Sequence, residues 1–197
     1  VCGVEMLDRA LIFLRDELDS YVRQSMAISD SMVILNHLQG ADGALALKNQ
    51  NRLVITLIKI DYDSSRPYYN SQNHNSNQSL NGSFKKNAPQ FFNINILISS
   101  NFDDYIESLK TLSVAIHFFQ ANNNFQRLSF PNLPEELNSL DVEIENSSEA
   151  RSFDMWSALG AHYVPSIVYK IRRLAMDSRQ IAGLLSTTRQ TEVEIGT

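Results

Sequence analysis

Apolar residues recur at three- and four-residue spacing from Met6 to about Ser25: Leu7, Ala10, Leu11, Leu14, Leu18, Tyr21 and Val22. That period predicts an amphipathic helix, with Asp8, Arg9, Arg15, Asp16, Asp19 and Arg23 on its solvated face. Met32–Leu38 predicts a short strand, and Gly40-Ala41-Asp42-Gly43 a turn. The run Arg52–Tyr62 is so rich in Leu, Val and Ile that it predicts a strand covered on both faces. From 62 to 89 asparagine and serine dominate, which predicts a long loop or projecting hairpin. Phe91–Ser100 resumes as a strand. A second helix follows from Phe102 to about Ala121, with a stripe of Phe102, Tyr105, Ile106, Leu109, Leu112, Ala115, Ile116 and Phe119 and with Asn101 as its cap.

Leu140, Val142 and Ile144 alternate with Asp141, Glu143 and Glu145, the period of a half-exposed strand. Around Trp156 a short helix is expected to stop at Gly160. Pro165 can open a strand but not sit in its middle, so Ser166 to about Met176 predicts the last strand, with Ile167, Tyr169 and Ile171 inward and Val168, Lys170 and Arg172 outward. If this strand lies beside Leu140–Glu145, its cations face that strand's acids. The order predicts an α+β fold: a mixed, mainly antiparallel sheet with two amphipathic helices on one face. One domain over 1–177 is expected, followed by a tail over 178–197 that acts as an interaction arm.

Composition narrows the function. The chain has 197 residues and a net charge of −5, which speaks against a general nucleic-acid or anionic-membrane surface. Its one cysteine, Cys2, excludes an internal disulfide framework and a multi-cysteine zinc site. No apolar run approaches the roughly 20 residues that span a bilayer. No signal-peptide layout opens the sequence, so folding in the cytoplasm is expected.

Candidate chemistry is sparse. His37, His74, His117 and His162 lie far apart and lack metal-ligand spacing, and no nucleophile elbow, phosphate loop or dinucleotide fingerprint occurs. Asp103-Asp104 and Glu135-Glu136 read as solvated carboxylates, the first pair suited to a helix N-terminus. Trp156 and Tyr163 read as aromatics sealing a core, and the asparagine-centred glycosylation patterns carry no weight without a secretion signal. The one basic cluster on regular structure is Lys170, Arg172 and Arg173. Catalytic, cofactor and metal residues are therefore assigned to none.

Several segments, taken together, resemble a known family. Leu7–Leu18 (Leu-Asp-Arg-Ala-Leu-Ile-Phe-Leu-Arg-Asp-Glu-Leu), Asn93–Phe102, Leu109–Ser113, Phe118–Gln120, Trp156–Gly160 and Tyr163–Lys170 are similar to the tail-terminator or cap subunits of extracellular contractile injection systems, of the antifeeding-prophage and virulence-cassette type. The resemblance implies a non-enzymatic structural cap that closes the distal end of the inner tube and anchors the last sheath layer. It implies as partners further copies in a homohexameric ring, the tube protein and the sheath protein, with no nucleic acid and no membrane insertion. Assembly in a bacterial cytoplasm follows, within a particle that is released or membrane-attached. The subunit or sheath interface expected is Lys170, Arg172 and Arg173 with Glu192, Val193, Glu194 and Ile195 of the tail. The alternatives are a baseplate or adaptor subunit of the same particle and a small enzyme with its site in the polar loop.

Overall fold

The computed structural model describes residues 6–40, 46–63, 84–86, 90–137, 139–146, 148–176 and 181–184. The first helix, α1 (Met6–Met26), forms as its period requires and buries Ala10, Leu11, Phe13, Leu14, Leu18 and Val22. It closes with Ala27 in the left-handed region, φ 52°, and the Ile28 amide donates to the Arg23 carbonyl at 3.1 Å. That is a Schellman closure, made with alanine where glycine would avoid a cost of about 1–2 kcal/mol.

Asp19 corrects the expectation of a solvated face. It is buried, and its Oδ1 accepts from the amides of Met32 and Val33 at 2.7 and 2.9 Å and from the Ser31 hydroxyl at 3.2 Å. It thereby fixes β1 (Val33–Leu35), shorter than the expected strand. The crossover to β2 (Arg52–Tyr62) is tied by a fully buried Asn49, whose Nδ2 donates to the His37 and Leu38 carbonyls at 2.7 and 3.2 Å. Most of the expected turn at 40–43 lies outside the described residues.

β2 is covered only in its first half. Leu53 to Thr56 are buried, whereas Leu57 and Ile60 are exposed. Beside it runs β4 (Gln90–Asn101), with Ile94, Ile96 and Ile98 buried on one face and Leu97 on the other. The polar stretch before β4 lies mostly outside the described residues. Its residues Phe84–Lys86 form β3, which pairs antiparallel with β8 (Ile181–Leu184) from the expected tail.

The second helix, α2, spans Tyr105–Ala121 and is capped by Asp104, not Asn101: Asp104 Oδ1 accepts from Ile106 N at 2.7 Å. Its buried face is Ser108, Thr111, Leu112, Ala115, Phe118 and Phe119, which leaves Tyr105, Ile106 and Leu109 of the expected stripe exposed. A polar tie sets this rotation. The hydroxyls of Ser100 and Ser108 each donate to the other's carbonyl at 2.9 Å in a buried site, so Ser108 has to face the sheet.

The remaining strands are β5 (Asn124–Gln126), which the polar pattern had hidden, β6 (Ser139–Ile144) and β7 (Ser166–Met176). The sheet order is β1-β2-β4-β7-β6-β5, antiparallel except for the parallel β1–β2 pair. The α+β expectation holds. Helices α1 and α2 pack on one face around the isoleucines of β4 and a ring cluster centred on Phe125. A third helix, α3 (Glu149–Leu159), lies on the opposite face over Val54 and Leu97.

Within the main core Tyr169 is 2% exposed, and its hydroxyl has no hydrogen-bond partner among the described residues. Burial pushes this phenol from 10.0 up to about 12. Its folded-state value lies above the unfolded one, so the unfolded chain ionises first and stability falls as pH rises from 10.0 to about 12, with no contribution below that window. Tyr169→Phe removes the orphaned hydroxyl. It is expected to raise the unfolding free energy by about 1 kcal/mol and to remove this alkaline slope, as urea titrations at neutral pH and near pH ~11 will show.

Candidate functional site

The expected basic cluster sits where β7 is irregular. Between Phe92 and Ile94 the β4–β7 register shifts by one residue, and Arg173 occupies the bulge at φ 54°. Its amide donates to Asn93 Oδ1 at 3.1 Å. The extra residue turns Arg172 and Arg173 both outward and returns Leu174 to the core at 1% exposure.

β6 does lie beside β7, with Glu143 opposite Lys170. The ion pairs run along the diagonals: Lys170 to Glu145 at 3.8 Å and Arg172 to Glu143 at 2.5 Å. The Arg172–Glu143 pair is exposed and contributes about 0–1 kcal/mol, so it orients side chains more than it holds the sheet, while the Lys170–Glu145 pair is half-buried. Arg173 stacks instead over the Phe91 ring, 5.4 Å from its centroid. The structure therefore brings Lys170, Arg172 and Arg173 together on β7, between β4 and β6, but commits Lys170 and Arg172 to ion pairs. Glu192, Val193, Glu194 and Ile195 lie outside the described residues.

A second surface surrounds α3. Gly160 ends this helix at φ 65°, and the Gln39 side-chain amide donates to its carbonyl. Trp156 seals a small core of Leu38, Val54 and Leu97, as expected. Tyr163 meets its ring edge-on at 5.5 Å but remains 73% exposed, as does Phe153 at 75%. These two rings, with Tyr105, Ile106 and Leu109 of α2, leave apolar surface uncovered on both sides of the sheet.

Three of the remaining polar candidates, Asp103, Asp104 and Glu136, have structural partners. Asp103 accepts from Gln50 and Asn51, and Glu136 pairs with Arg9 at 2.8 Å. His37, His117 and His162 are exposed, and His74 lies outside the described residues. Among the described residues no group of three or more His, Cys, Asp or Glu could hold a metal. Among them, too, no helix is long and apolar enough to cross a membrane.

This geometry defines an α+β module whose conspicuous features are uncovered faces rather than a convergent polar site. Residues 12–186 match the family described as the Pvc16 N-terminal domain, and the chain belongs to that family. No curated protein matches the chain. Two solved structures are similar in fold. One is the sheath/tube terminator of an extracellular contractile injection system, PVC, in its extended state, with 13% identity, a TM-score of 0.48, and 94% of this chain and 65% of that chain covered. The other is the tube-terminating cap of the anti-feeding prophage, with 14% identity, a TM-score of 0.48, and 92% and 60% covered. The chain thus spans less than two thirds of either.

Proposed function

We propose that this chain is a structural cap of an extracellular contractile injection particle: copies close the distal end of the inner tube in a homohexameric ring and hold the last sheath layer, without turnover. The observation that carries this reading is family membership across residues 12–186. The uncovered faces support it physically. A tube of stacked rings ends in unsatisfied surfaces, and its terminator must complement one of them without repeating it on the far side. Phe153, Tyr163, Tyr105, Ile106 and Leu109 supply apolar contact area for neighbours.

In the same proposal Arg173 meets partner carboxylates, since it has no ion pair among the described residues, while Lys170 and Arg172 border that contact. Glu192, Val193, Glu194 and Ile195 form the tail's subunit or sheath contact. The particle is assembled in the bacterial cytoplasm, and the cap binds no nucleic acid and inserts into no membrane.

The test is electron microscopy of particles assembled without the chain. A cap predicts tubes of uncontrolled length that lose sheath. Tubes of normal length that retain their sheath would overturn the proposal, and a failure to nucleate any tube would replace it with a baseplate role.

A further inference from the structure

Beside β1, the edge strand of the main sheet, runs an open groove between α1 and the 47–52 segment. Ile12 and Ile34 line it, and Leu47 stands 89% exposed at its rim. Arg15, Lys48 and Arg52 line it too, and no carboxylate does. Arg15 pairs with Asp16 at 2.7 Å, and Arg52 donates to the Ser31 carbonyl at 2.8 Å. Neither Lys48 nor Arg52 has an ion pair among the described residues.

One segment of this chain has the opposite character. Thr191-Glu192-Val193-Glu194-Ile195 alternates acid and aliphatic residues and contains no cation. In an extended conformation Glu192 and Glu194 share one side, about 7 Å apart, and Val193 and Ile195 the other. We infer that this segment docks in the β1 groove of a second copy, its glutamates toward Lys48 and Arg52 and its aliphatic side chains toward Ile12 and Leu47.

The strand register favours a neighbour over the chain's own tail. The groove lies at Arg52, opposite Asn101 at the end of β4. The tail departs from Met176, opposite Gln90 at the start of β4. The strand's 12 residues separate these ends by about 36 Å. Because β8 holds the tail on β3, just before β4, the residues from Leu184 to Glu192 reach only about 28 Å. A contact joining opposite ends of successive copies is heterologous, the kind that closes rings. The inference thus deepens the ring reading above.

Sedimentation velocity on the full chain tests it, with two variants: Glu192→Lys with Glu194→Lys in the tail, and Leu47→Asp with Lys48→Glu at the groove. Leu47 and Lys48 are exposed, so unchanged melting curves will confirm folding. The unmodified chain should self-associate, and each variant alone about 10-fold more weakly or worse. Mixed together, the variants should form dimers and nothing larger, because only one intact tail and one intact groove are available per pair. An unmodified chain that stays monomeric up to about 1 mM, a tail variant that associates like the unmodified chain, or a mixture that stays monomeric would each overturn the inference. A chain that is monomeric alone yet still controls tube length would sink this contact and leave the cap reading standing. Self-association of the expected kind with no effect on tube length would do the reverse.

Discussion

Asp19→Ala is expected to lower the unfolding free energy by about 3 kcal/mol, the loss typical of a buried charged acceptor that serves several donors. The carboxylate is 7% exposed, and one of its oxygens accepts from two backbone amides and a hydroxyl at the start of β1. Its other oxygen pairs with Arg23 at 3.0 Å. Removing it leaves the Met32 and Val33 amides without an acceptor and frees the entry to the edge strand. At about 2–4 °C per kcal/mol for a domain of this size, the melting temperature should fall by about 6–12 °C.

Two companion variants separate the contributions. Asp19→Asn retains a carbonyl oxygen for the amides and should lose roughly half as much. Arg23→Ala should lose under about 1 kcal/mol, because the Arg23 side chain is 41% exposed. Hydrogen exchange at Met32 and Val33 should quicken in Asp19→Ala and stay slow in Arg23→Ala. A loss below about 1 kcal/mol in Asp19→Ala would show that the ladder to β2 alone positions β1.

Asp19 also shows where pattern reading fails. Periodicity locates α1 and the long strands because each buries a regular apolar row, and β2 begins and ends at the residues expected from composition, Arg52 and Tyr62. It misplaces side chains whose burial is set by hydrogen bonding. Asp19 belongs by type to the wet face, and Ser108 ranks below Leu109 on any hydrophobic scale, yet both turn inward to satisfy backbone groups. Register carries the other failure. Strict alternation would send Leu174 to the face opposite Lys170's neighbours in the core, and only the left-handed Arg173 restores it. No arginine announces such a conformation in a sequence.

The surroundings of the basic cluster were legible in part. Alternating signs on the two strands anticipated that β6 and β7 pair, because charge complementarity acts locally across a ladder. The same pairs occupy Lys170 and Arg172, which the interface expectation also needs, and leave Arg173 as the cation of the cluster without an ion pair among the described residues. The basic groove at β1 was invisible for another reason: Ile12, Lys48 and Arg52 come from separate elements, and only the fold brings them together.

Phe125→Ala is expected to cost about 4 kcal/mol, the largest loss of any single substitution considered. Phe125 is fully buried on the three-residue strand β5. Its ring lies 5.7 Å from Phe13, 6.0 Å from Phe118, 6.4 Å from Phe119 and 4.8 Å from Phe130, so it joins α1, α2 and the following loop at one point. Its neighbours Asn122, Asn123 and Asn124 are polar, and a lone ring after them gives no period to detect. Phe125→Leu keeps much of the apolar volume and should lose only about 1–2 kcal/mol.

Urea titration will measure both variants, and a loss below about 2 kcal/mol for Phe125→Ala would show that the surrounding rings collapse into the space. The consequence reaches beyond stability. Without its anchor, β5 should detach from Ser139, Leu140 and Asp141 and turn β6 into an open edge. Such an edge recruits other strands indiscriminately, so the Phe125→Ala chain should aggregate at temperatures where Asp19→Ala, whose damaged edge lies under α1, remains soluble.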